Sequence, residues 1–145
     1  MYRFKLETLL NHRRHQEEEC QKKLAKVRKE LVAEQEKLGR RKKEKRENIL
    51  RLKEKQKNSA KVSDIVLHIN YVQKLSKKIE DQIRCVQKAD KKVNQARNDL
   101  IIMVKKRKTL DKLKEKGRQA YQRKLTEDER KLMDEIAATR HVRNT

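Results

Sequence analysis

Apolar residues recur along this chain at alternating steps of four and three. In the first half the stripe is Leu6, Leu10, Cys20, Leu24, Val27, Leu31, Leu38 and, after a gap, Leu52. This spacing holds one line of side chains on one face of an α-helix and is the heptad pattern of a coiled-coil seam. Arg13, Glu17, Glu34 and Arg41 fall at seam positions. Polar residues there cost stability but fix register and partner choice. The stripe is weakest from Gly39 through Arg40–Arg46, with no apolar residue between Leu38 and Ile49. The residues after Gly39 are tolerable helix formers, so a loosely packed helix is expected to continue there.

The pattern breaks at Lys57–Asp64, where Asn58 and Ser59 are turn residues and Ser63 or Asp64 can cap a new helix. A second seam then runs through Ile65, Ile69, Val72, Ile79, Ile83, Val86, Val93, Leu100 and Val104. Near Leu100 the stripe shifts to Ala96, Leu100, Met103 and Leu110, which reads as a local stutter. Gly117 is the one breaker in this half, and Thr126-Glu127-Asp128-Glu129 resembles a capping box. Continuity through both is the preferred reading. Long helices joined by a short connection pack antiparallel. Folding the chain near residue 60 brings Leu24 near Ala96, Leu38 near Ile83, Leu52 near Ile69, and Leu10 beside Leu110. Residues after about Gly117 then have no partner on the first helix and project, by ~40 Å if helical.

The expected fold is therefore all-α: a single coiled-coil domain over residues 1–145, a long two-helix antiparallel coiled coil (helical hairpin) with a projecting C-terminal helix. Helix 1 is expected over about 3–57, the turn over about 58–63, and helix 2 over about 64–141.

Composition sharpens this picture. Only 34% of residues are hydrophobic and 45% are charged, with no Pro, no Trp and two Gly. Such a chain cannot bury a wide apolar face, and its lack of breakers favours long helices over disorder. The net charge of +21 predicts attraction to nucleic acid, an anionic membrane surface or an acidic protein face. The longest apolar run, Leu100–Val104, is far short of a membrane span, and no apolar segment of a signal peptide is present. Cys20 and Cys85 have no CxxC spacing and read as free thiols in a reducing compartment.

Catalysis finds no support. There is no phosphate-binding Gly-rich loop, no HExxH and no metal-spaced Cys/His cluster, so neither cofactor nor metal is expected. His12 and His15 share a helix face but read as solvated, with His15 near Glu19. Nucleic-acid binding is the alternative from another class, as a basic coiled-coil protein, because phosphate contacts alone give salt-sensitive affinity. No aromatic platform interleaves with the basic residues, however, so no specific nucleic acid is expected. What remains is a narrow rod presenting surfaces at its two ends. At the base these are Tyr2, Phe4, Leu9, Tyr121, Leu125, Leu132, Met133 and Ile136. Near the turn they are Val66, Leu67 and Tyr71.

Three stretches carry a family resemblance. The chain opens with Phe4-x-Leu6-Glu7-x-Leu9-Leu10-x-x-Arg13, has Ile69-Asn70-Tyr71 in its middle, and closes with Lys131-Leu132-Met133-Asp134-Glu135-Ile136-Ala137-x-x-Arg140. In these and in its length and layout it resembles the flagellar export protein FliJ family, whose injectisome relatives are the nearest alternative. The resemblance implies a non-enzymatic coiled-coil stalk of the flagellar type III export apparatus. Its paired terminal ends would enter the hexameric flagellar export ATPase, and its turn-proximal region would reach the membrane export gate protein. It also implies handling of export chaperones and a cytoplasmic location, peripheral to the inner face of the cell membrane at the flagellar base. On this reading the ring contacts are Phe4, Leu6, Leu9, Leu10, Arg13, Leu132, Met133, Asp134, Ile136, Ala137 and Arg140. The gate contacts are Ile69, Tyr71, Val72, Leu75 and Ile79, of which Ile69, Val72 and Ile79 also serve the seam.

Overall fold

The computed structural model describes residues 1–58 and 61–144; Ser59 and Ala60 of the expected turn, and Thr145, lie outside the described residues. Two helices account for most of it: α1, Glu7–Lys57, and α2, Val62–Asn144. α1 starts at Glu7 rather than near residue 3, with the Glu7 and Leu10 amides donating to the Phe4 and Leu6 carbonyls. Glu7 then places a carboxylate in the positive first turn. α2 starts two residues before the expected Asp64. The Asp64 and Ile65 amides both donate to the Lys61 carbonyl, so Lys61 occupies the cap position and Asp64 lies within the first turn. α2 passes through Gly117 and Thr126 unbroken. Thr126 donates its hydroxyl to the Gln122 carbonyl one turn back, at 3.0 Å, instead of capping a new helix.

The chain divides into two compact units. Unit 1 comprises Met1–Glu19 and the chain from Ile101 onward, and unit 2 comprises Cys20–Leu100. In unit 2 the two helix segments pair antiparallel around a cluster of Leu24, Val27, Val93 and Ala96, with Leu31 and Leu100 packed against it. In unit 1 the paired segments bury Leu10, at 0% exposure, and Leu110. Burial of each such leucine contributes about 1.5–3 kcal/mol.

The buried positions follow unbroken heptads. On α1 they step through Leu10, Arg13, Glu17, Cys20, Leu24, Val27 and Leu31, and on through Glu34, Leu38, Arg41, Lys45, Asn48 and Leu52. On α2 they run Ile65, His68, Val72, Leu75, Ile79, Gln82, Val86, Ala89, Val93 and Ala96, then Leu100, Met103, Arg107, Leu110, Lys114, Gly117 and Tyr121. There is no stutter at Leu100. Ile69 and Ile83 stand just outside the seam, each 37% exposed, and His68 and Gln82 take the places expected for them. Leu6 holds a heptad position, seven residues before Arg13, but it precedes α1 and is 41% exposed.

Gln82, His68, Asn48 and Arg41 can occupy the seam because each finds a partner. In unit 2 the Gln82 amide donates to the Glu34 carbonyl at 2.9 Å and to its carboxylate. His68 Nε2 meets the Asn48 carbonyl at 2.7 Å, and Arg41 donates to the Lys78 carbonyl at 2.9 Å. A carbonyl only accepts, so His68 Nε2 carries the proton there. No buried side-chain nitrogen or oxygen among the described residues lacks a hydrogen bond. These bonds also correct the pairing in unit 2. Gln82 meets Glu34 rather than the neighbourhood of Gly39, and Tyr71 meets Glu44 rather than Leu50.

Candidate functional site

The terminal end of unit 1 is built by the first residues of the chain folding onto α2. Tyr2 lies over Gly117, where a side chain of any size would overlap its hydroxyl. The Tyr2 and Tyr121 rings stack at 5.8 Å with an interplanar angle of 42°. The Met1 ammonium donates to the Tyr121 hydroxyl at 2.9 Å. Both tyrosines are therefore half-buried in a clamp, not the open contacts the sequence reading made of them. Gly117, read from sequence as a breaker, instead makes room for Tyr2.

Next to the clamp is a set of ion pairs. Lys114 bonds Glu7 at 2.9 Å, and Arg107 bonds Glu17 and, at 2.6 Å, Asp111. Arg14 approaches Asp111 at 3.4 Å. The hydrogen bond that Arg107 donates to Glu17, followed by the one it donates to Asp111, holds its guanidinium above its ordinary pKa. Further along, the hydrogen bond from Arg118 lowers the Glu115 carboxyl below its usual range. In the sequence Arg107 was one of a basic run; its place in the heptad after Leu100 and Met103 is the signal that could have marked it as a seam residue.

Beyond Tyr121 every described residue is exposed, to Asn144. This segment carries Leu125, Leu132 and Ile136 at steps of seven and four, with Met133 beside them, at 42–67% exposure. Its stripe does not continue the seam. The heptad positions that follow Gly117 and Tyr121 are Lys124, Asp128, Lys131 and Glu135, all charged. The apolar stripe is offset from these positions by one residue: an inserted step of four after Tyr121 keeps it on the side of Tyr121 but out of phase with the heptads.

The residues expected to contact the ATPase ring thus fall into three states. Leu10 is sealed in the seam and presents nothing outward. Phe4 and Arg13 are half-buried, Arg13 donating to Gln16 at 2.9 Å, and Leu6 and Leu9 are 41% and 38% exposed. Leu132, Met133, Asp134, Ile136, Ala137 and Arg140 are all exposed. The N-terminal residues pair with α2 between Arg107 and Tyr121, so the structure does not bring the N-terminal set together with Leu132–Arg140.

Of the residues expected to contact the export gate, Leu75 and Ile79 are buried in the seam and Val72 is half-buried. Ile69 and Tyr71 are open to solvent, the Tyr71 hydroxyl donating to Glu44 at 2.9 Å. That hydrogen bond, and then the charge of Glu44, raise the Tyr71 pKa above its ordinary value.

Nothing among the described residues forms a metal site of three or more His, Cys, Asp or Glu, and no helix is long and apolar enough to cross a membrane. Cys20 and Cys85 are both free.

Known proteins place this arrangement. The fold is similar to the solved structure of CT670 from Chlamydia trachomatis, described as a YscO homologue. The TM-score is 0.65 at 22% identity, covering 97% of this chain and 96% of that one. No curated protein matches the sequence. The flagellar FliJ protein family matches it over residues 2–145. With nearly its whole length matched, the chain belongs to the flagellar FliJ protein family.

Proposed function

We propose that this chain is a non-enzymatic stalk of the flagellar type III export apparatus, binding the hexameric export ATPase through the segment after Tyr121. The observation that carries this reading is the exposed, helical segment Gln122–Asn144, whose apolar stripe is out of phase with the seam. Leu132, Met133 and Ile136 have no partner surface within the hairpin, and family membership supplies the class of partner. Asp134 and Arg140 flank the stripe and set its orientation on the ring, while Phe4, Leu6 and Leu9 add a second, smaller contact. Ile69 and Tyr71 serve the membrane export gate; Leu75 and Ile79 hold the helices together beneath them. Export chaperones are further partners, and the chain works in the cytoplasm against the inner face of the membrane. A basic nucleic-acid-binding role fits the charge but leaves the offset stripe without a purpose.

The test is co-purification of the chain with the export ATPase at ~0.15 M salt, where exposed charge contacts are screened. Replacing Leu132 and Ile136 with Asp should lower ring affinity by at least about a hundredfold, since two apolar anchors are lost. Helical content should stay unchanged because both side chains are exposed. Undiminished binding by that variant would overturn the assignment of the ring contact.

A further inference from the structure

We propose that the turn-proximal end of unit 2 binds the surface of an anionic lipid bilayer, with Val62, Val66 and Leu67 entering the headgroup layer inside a collar of lysines. Val62 is 76% exposed, Val66 48% and Leu67 67%. They crowd into the first two turns of α2 and are spread over more than one flank. Val62 and Val66 share one flank with the exposed Ile69, while Leu67, turned about 100° away from Val66, shares another with Tyr71. A partner helix or a protein groove requires apolar residues along one face. A fluid interface accepts side chains on every flank of an inserted end.

The charge around them selects the partner. Ile65–Ile79 is the longest run of the chain without Asp or Glu. Within it Lys74, Lys77 and Lys78 are exposed. Lys74 and Lys77 line a shallow groove together with Leu67. The end of α1 adds exposed Lys55 and Lys57, with Lys61 at the start of α2. Lys55 shares a cleft with Leu67 and with Asp64, which together with Glu54 supplies the acidic charge of this end. Exposed aliphatic side chains within a lysine collar are the composition of interfacial anchors on anionic lipid, where each Lys or Arg near the surface contributes a factor of about five in affinity. No helix of the described structure can cross the bilayer, so the contact is peripheral. Single-stranded nucleic acid would be held by stacking aromatics, and Tyr71, the aromatic at this end, is tied to Glu44. This inference rests on the membrane-facing placement in the proposed function and names the lipid contact for it, but it needs neither ATPase nor export gate.

The experiment is sedimentation of the full chain with phosphatidylcholine vesicles, with and without phosphatidylglycerol, at ~0.15 M salt. Binding to the anionic vesicles alone is expected. Val66→Asp with Leu67→Asp should weaken it by more than about tenfold while leaving helical content unchanged, and Lys74→Glu with Lys77→Glu should weaken it further than one charge step. Absence of binding to anionic vesicles overturns the proposal, and so does equal binding by the Val66/Leu67 variant. A chain that ignores vesicles but binds polyglutamate identifies the end as a surface for acidic protein and also overturns it. Because the vesicles hold no other protein, a negative result leaves the ring contact of Leu132 and Ile136 untouched, and loss of that contact leaves this one untouched.

Discussion

At the scale of single residues, Tyr71 shows how a side chain that looks free in the sequence is tied across the helix pair. Its hydroxyl donates to Glu44, twenty-seven residues earlier, and this raises its pKa in the folded state. A group whose folded pKa is raised contributes stability below its unfolded value, about 10 for tyrosine, and loses that contribution as pH rises through the folded value. The contribution is small because Tyr71 is exposed, but the titration is visible. Glu44→Gln removes the carboxylate and should bring part of the phenolate absorbance change to lower pH. Superimposable titrations of the two proteins would show that the bond does not form in solution. Tyr71 was legible as an exposed aromatic; its partner was not, because it depends on a pairing register that differs from the one obtained by folding the chain near residue 60. Gly117 is similar. Its helix-breaking tendency is a property of the residue, whereas its use, admitting the Tyr2 ring, depends on where the N-terminus lies.

The helices themselves were legible because their evidence is repeated. Four-three spacing recurs over many turns on α1, and Leu24, Val27 and Leu31 are where the pattern puts them. On α2 the largest apolar side chains point to Ile69 and Ile83 as seam residues, whereas His68 and Gln82 hold those places. Seven-residue counting from Leu75 leads to His68, Gln82, Ala89 and Ala96 and would have excluded both isoleucines. Gln82 tests what the polar half of the seam does. It is 3% exposed and donates twice to Glu34. A buried polar contact of this kind contributes little net stability but penalises every register that leaves it unpaired. Replacing both partners, Gln82→Leu with Glu34→Leu, should therefore leave stability unchanged or raise it by up to about 2 kcal/mol. At the same time it should double amide signals around position 34 in an NMR spectrum as a slipped pairing becomes populated. A variant with a single set of signals and lower stability would assign Gln82 a stabilising role instead.

For the whole molecule the governing quantity is the excess of 43 basic over 22 acidic residues. The ion pairs of unit 1 use Glu7, Glu17, Asp111 and Glu115, yet every acid so paired leaves roughly another cation without a counter-charge. Exposed pairs of this type contribute about 0–1 kcal/mol each. The remaining cations repel one another within each unit, and a chain of high net charge is destabilised by that repulsion. Salt therefore acts in two directions: it weakens the pairs and relieves the repulsion. At about 0.01 M the screening length is roughly 30 Å, and many like charges act on each other; at 0.15 M it is roughly 8 Å, and few do. The close pairs, with 2.6–2.9 Å between their atoms, are screened far less by that change than charges a turn or more apart. Thermal melts followed by circular dichroism should thus show Tm rising by several degrees between 0.01 and 0.15 M salt, equivalent to roughly 1–2 kcal/mol. A Tm that falls over the same range would mean that the ion pairs outweigh the repulsion. The apolar seam would then have less to overcome than its composition implies.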